Sequence, residues 1–147
     1  MYNIINLIMG QSQSIKKANF EDIQCIFKNN HKIILINTLN SNEQQCLIKG
    51  TIPIDKEENI INNNIHKPNI TIIVYGKNSI EKEPYKKIRQ LSSLGFYNVY
   101  LYSGGLFEWL LLQDIYGDDE FPTTKKELDI LKFKPQSSFN LLLTDID

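Results

Sequence analysis

Cysteine is scarce in this sequence: Cys25 and Cys46 are the only two in 147 residues. So few exclude a disulfide framework and, with no secretory signal, fit a reducing compartment. Both lie in apolar stretches, Ile23-Gln-Cys-Ile-Phe27 and Gln45-Cys-Leu-Ile48, and each is expected to pack as a small, inert hydrophobe. Arginine is scarcer still. Arg89 stands alone among 16 basic residues, and the formal net charge is -1. Lysine lacks the planar fork that reads phosphate or guanine bidentately, so a nucleic-acid surface is not expected. No apolar run approaches the roughly 18 residues that a membrane span needs. Residues 1–8 are mildly apolar, but they lack a basic leader and are interrupted by Asn3 and Asn6, unlike a signal peptide. The two histidines, His31 and His66, have no ligand spacing around them and are expected to face solvent. Asp118-Asp-Glu120 lacks the spacing of a calcium loop and reads as a solvated turn. No metal and no cofactor are expected, and the expected location is cytoplasmic.

What is present is enough for one domain. A chain of 147 residues, 41% of them hydrophobic, can bury a core without disulfides or metals. Asn19 is a helix N-cap, with acids in the first turn after it and apolar residues at 20, 23, 26 and 27. Lys32-Ile-Ile-Leu-Ile-Asn-Thr-Leu39 reads as a buried parallel strand, 70–75 as a second and 98–102 as a third. Helices are expected over about 56–65, Pro84 to Leu94 and Gly105 to Ile115, with Gly117 ending the last. Strands alternating with helices predict an α/β fold: a central parallel sheet flanked by helices on both faces. Residues 1–18 read as a flexible leader, 19–122 as the domain and 123–147 as a C-terminal extension. In that extension, Thr124 and Glu127 have the spacing of a capping box, which predicts a helix over 123–131.

The apolar run Asn69-Ile-Thr-Ile-Ile-Val-Tyr75 ends at Gly76, which opens the polar loop Gly76-Lys-Asn-Ser-Ile-Glu81. Four pieces, in order, resemble the rhodanese-like domain family over about residues 19–122. They are Gly50-Thr-Ile-Pro53, Ile73-Val-Tyr-Gly76, Leu91-Ser-Ser-Leu-Gly-Phe-Tyr-Asn-Val99, and Gly104-Gly105 with Trp109. The resemblance implies a loop whose backbone N–H groups line a cup for an anion or persulfide, beside a helix N-terminus. It also implies a cysteine thiolate at the first loop position. Gly76 is the residue that matches that cysteine, so no catalytic residue is expected there. Glycine is expected to keep the turn, through a positive φ, while lacking the thiol. Two further departures accompany it. Glu81 and Glu83 sit at the start of the next helix, offset only in part by Lys77 and Lys82, and Asn37-Thr38-Leu39 stands where the family often has Asp-x-Arg. Ser79 reads as an exposed loop serine without a base, and Trp109, with Phe107 and Leu110 to Leu112, as core.

The expected function is a catalytically inactive rhodanese-like domain that binds or regulates a protein partner. Its candidate surface is Gly76, Lys77, Asn78, Ser79, Ile80 and Glu81. One alternative is an active sulfurtransferase or phosphatase-like enzyme using Cys25 or Cys46, although both chemistries need a thiolate in the cup. The other is a membrane-tethered adaptor. Met9-Gly-Gln-Ser-Gln-Ser14 matches the myristoylation pattern, with Gly10 as acceptor if translation starts at Met9. One such chain, helped by Lys16 and Lys17, gives only a weak peripheral tether.

Overall fold

The computed structural model describes residues 14–139, so Gly10 and residues 140–147 of the C-terminal extension lie outside the described residues. Four parallel strands form one sheet in the order β1-β4-β3-β2. They are β1 (Lys16–Ala18), β2 (Ile33–Asn37), β3 (Thr71–Tyr75) and β4 (Val99–Tyr102). The helices are α1 (Phe20–Lys28), α2 (Ile54–Asn63), α3 (Glu83–Ser93) and α4 (Gly105–Tyr116). Side chains alternate across the sheet, and each face packs on its own pair of helices. Leu35, Ile73 and Tyr75 join Ile23 of α1 and Trp109 of α4. On the opposite face, Ile36, Ile72 and Val74 join Ile61 of α2 with Ile88 and Leu91 of α3. This is the α/β arrangement predicted above, with both sheet faces covered.

Local signals account for most boundaries. Asn19 caps α1 through Oδ1, which accepts from the Glu21 and Asp22 N–H groups, and Asp22 returns the bond to the Asn19 N–H. Helix α2 starts earlier than expected, directly after Pro53, and stops where Asn64 Nδ2 donates back to the Ile60 carbonyl at 2.8 Å. Alongside β2, the segment after Gly50 adds a single parallel bridge, Leu35 to Thr51.

Two stretches differ from the sequence expectation. Residues 16–18, read as part of a leader, form the edge strand β1 and pair with Tyr100–Tyr102 of β4. Residues 123–131 do not form a helix. Thr123 bridges antiparallel to Ile48, and Thr124 clamps the neighbouring chain: its N–H donates to the Leu47 carbonyl at 2.8 Å, while its Oγ1 accepts from the Leu47 N–H at 3.0 Å. The hydroxyl that would cap a helix is thus taken by another segment. Glu127 instead accepts from the Asp129 N–H and pairs with Lys132 at 2.5 Å, and a short 3-10 turn follows at Ile130–Phe133.

Candidate functional site

The loop after β3 begins at Gly76, which is buried at the end of a strand held on both sides. Its φ is not positive, unlike that of Gly50, Gly95, Gly105 and Gly117. The turn therefore does not demand glycine for backbone freedom, which corrects the expectation. Space demands it instead. A Cβ at residue 76 would lie 2.7 Å from Pro84 Cγ and 3.0 Å from Thr38 Oγ1. Pro84, in the first turn of α3, turns its ring into the place where a side chain would begin.

The rest of the loop is tied down from within. Asn78 is buried; its Oδ1 accepts from the Ile80 N–H at 3.0 Å, and its Nδ2 donates to the Phe133 carbonyl at 3.0 Å. Lys77 pairs with Glu43 at 3.1 Å, so it does not offset Glu81 and Glu83. Glu83 pairs with Lys86 at 3.5 Å on the exposed start of α3. Ser79 and Ile80 face solvent. Helix α4 docks against the same loop. Its Leu106 and Phe107 N–H groups donate to the Gly76 and Lys77 carbonyls at 3.0 and 2.9 Å. Two N–H groups that a helix start leaves for capping or a ligand are thereby used by the loop itself.

Polar support beneath the loop is neutral. Asn37, buried at the end of β2, exchanges hydrogen bonds with Gln44: Asn37 Nδ2 donates to Gln44 Oε1 at 3.1 Å, and Gln44 Nε2 donates to Asn37 Oδ1 at 2.8 Å. The Tyr75 hydroxyl accepts from the Ile48 N–H at 3.1 Å and lies 2.7 Å from Thr51 Oγ1. Burial pushes the Tyr75 phenol above its ordinary range, which keeps it a neutral pin for the 48–51 turn. Tyr102 Oη donates to Glu108 Oε2 at 2.5 Å; burial and that carboxylate push it up as well. Thr38, Glu43, Pro84 and Phe133 also shape the site; the sequence offers Thr38 only within Asn37-Thr38-Leu39 and Pro84 only as a helix start, and Glu43 and Phe133 not at all. The pairings themselves span long stretches of chain.

Neither cysteine belongs to the 76–81 loop. Cys46 is buried and its thiol donates to the Lys125 carbonyl at 3.2 Å. Burial raises its pKa, countered in part by Thr123, so the thiol form is favoured. Cys25 is half-buried on α1 rather than fully enclosed, and it borders a cavity of about 310 Å³. Ala18, Ile33, Thr71, Ile73 and Tyr100 line that cavity, and no residue of the 76–81 loop borders it. Both histidines are exposed, as are Asp118, Asp119 and Glu120. Trp109 and Leu110 are buried, while Leu111 is exposed on the outer face of α4. Among the described residues, no helix is long and apolar enough to cross a membrane.

Gly76→Ala is expected to destabilise the fold by about 1–3 kcal/mol through overpacking against Pro84. Pro84→Ala should recover part of that loss in the double variant, a coupling of about 0.5–3 kcal/mol read from urea midpoints. Strictly additive costs would contradict the contact.

A family model described as a rhodanese-like domain matches residues 27–112, more than half of the chain. No curated protein sequence matches it. Solved structures do. One is a Saccharomyces cerevisiae homologue of single-domain rhodanese and the Cdc25 phosphatase catalytic domain, at 15% identity and a TM-score of 0.57, covering 81% of this chain and 93% of that one. Another is the rhodanese-like domain of an Anabaena protein, at 19% identity and a TM-score of 0.52, covering 85% and 88%. A thiosulfate sulfurtransferase from Pseudomonas aeruginosa aligns at 17% identity and a TM-score of 0.53, over 66% of this chain and 19% of that one. At these identities the structural likenesses speak to the fold alone. Together with the sequence match, they show that the chain belongs to the rhodanese-like domain family.

Proposed function

We propose that this chain is a rhodanese-like module without sulfur-transfer chemistry at its loop, acting instead by binding a protein partner there. Gly76 stands, in this reading, where the family carries its nucleophile. The observation that carries it is the absence of room: a Cβ at residue 76 would overlap the Pro84 ring at 2.7 Å. A thiolate needs both a side chain and a positive surrounding. Residue 76 lacks the first. The second is weakened because Lys77 is paired with Glu43, and Asn78 Oδ1 already takes the Ile80 N–H. Glu81 and Glu83 add negative charge beside the same loop, which disfavours an incoming anion. What the loop offers a partner is the exposed Ser79–Ile80 tip, with Ile80 61% exposed beside carboxylates.

Thiosulfate-to-cyanide sulfur transfer tests the reading. The protein is expected to give no rate above the uncatalysed background. Transfer that disappears on alkylating Cys25 or Cys46 would establish an enzyme with a displaced nucleophile and overturn it.

A further inference from the structure

The segment after α4 returns across the loop end of the sheet. Phe121 is buried at its root and Phe133 near its far end, and no residue between them is fully buried. Leu128 and Leu131 point outward, 84% and 61% exposed. Polar contacts hold this stretch down, among them Gln113 Nε2 donating to Thr123 Oγ1 at 3.0 Å and an exposed Lys126–Asp118 pair at 3.1 Å. Thr123 and Thr124 pair with the 45–48 segment. The Lys125 carbonyl accepts from the Cys46 thiol. The Phe133 carbonyl accepts from Asn78 Nδ2, which reaches it from inside the loop. Between this stretch and residues 42–46 lies a cleft of about 160 Å³, lined by Cys46, Glu43, Glu127, Lys132 and Phe133. Glu43 is also the partner of Lys77, so the cleft adjoins the loop.

We propose that residues 123–134 form a strap that latches the loop, with Asn78 to Phe133 as the latch, and that the strap opens while the rest of the domain stays folded. The inference gives the loop a regulation, and its biological meaning rests on reading residues 76–81 as the binding surface. Segments with few buried contacts open locally before the whole domain unfolds. Here one fully buried side chain, Phe133, the partly buried Ile130 and a few polar contacts hold about a dozen residues. Closed, the strap fixes the Asn78 side chain and covers Cys46. Open, it frees Asn78 Nδ2 from its carbonyl partner and exposes the thiol.

Cys46 therefore serves as a reporter that needs no partner. In a Cys25→Ser background of the full chain, an aryl disulfide is added and the rate of labelling is followed against urea. The Cys46 thiolate attacks one sulfur of the reagent, forms a mixed disulfide and releases an aryl thiolate, with the thiol proton passing to buffer. Labelling is expected to depend on urea more shallowly than global unfolding does. Asn78→Ala should accelerate it about fivefold, the change expected from losing the one hydrogen bond that Asn78 makes to the strap, while leaving the global unfolding slope unchanged; its other bond, from the Ile80 N–H, lies within the loop. Phe133→Ala should accelerate it further. Labelling that tracks global unfolding in rate and slope overturns the strap, and an unchanged rate in Asn78→Ala overturns the latch. Neither outcome bears on sulfur transfer, so this proposal and the binding-module reading fail separately.

Discussion

Gly105→Ala is expected to destabilise the domain by about 2–5 kcal/mol, a large part of the roughly 5–15 kcal/mol that holds a domain of this size. Two costs add. Gly105 has φ +67°, in the left-handed region that alanine enters only with strain. Its Cβ would also lie 2.7 Å from the Gly76 carbonyl oxygen and 3.0 Å from the Asn78 N–H nitrogen. Those are backbone atoms, which cannot swing aside as a flexible side chain would. The overlap falls on the contact that seats the α4 N-terminus against the loop, so loop and helix must separate. Gly105→Asn distinguishes the two costs, because asparagine tolerates the left-handed region but keeps the Cβ. Its urea midpoint should fall between those of the parent and the alanine variant. A loss below about 1 kcal/mol for Gly105→Ala would contradict the close packing of loop on helix.

Trp109→Ala is expected to cost about 3–5 kcal/mol. Trp109 is fully buried and packs edge-on against Phe27, Tyr102 and Phe121, with ring centroids at 6.4, 6.3 and 5.0 Å. Its Nε1 donates to the Pro122 carbonyl at 3.1 Å, just before the strap leaves the core. The residue thus joins α1, β4, α4 and the root of the strap. Trp109→Phe keeps most of the apolar volume and loses the donor, so its smaller cost should include at most about 1 kcal/mol from the lost hydrogen bond, because the Pro122 carbonyl still accepts from the Lys49 N–H at 3.0 Å. Equal losses for the two variants would show that the ring's size contributes little, against the burial described here.

Much of this arrangement was legible in the sequence, because many of its causes are local. Asn19 announces α1 through residues two and three positions on, and the β-branched runs at 33–37 and 71–75 can be satisfied only inside a covered parallel sheet. Strand β1 was hidden, since three residues, two of them lysine, carry no period and gain their pairing from β4 far along the chain. The Thr124–Glu127 spacing suggested a helix that Leu47, 77 residues away, prevents by claiming the threonine. Gly76 shows the same limit at the site. Its identity was informative, but its reason lay in the Pro84 ring and Thr38 and not in a backbone angle. Likewise Lys77 looked like compensation for Glu81 and Glu83 until Glu43 took it. Pairings across tens of residues leave little periodic trace in a single sequence.

The central claim is that residue 76 and its surroundings hold no sulfur-carrying group. Intact mass of the full chain after incubation with excess thiosulfate tests it without requiring an acceptor. The account predicts an unchanged mass. A gain of one sulfur atom, removed by cyanide and mapped to Cys25 or Cys46, would contradict it.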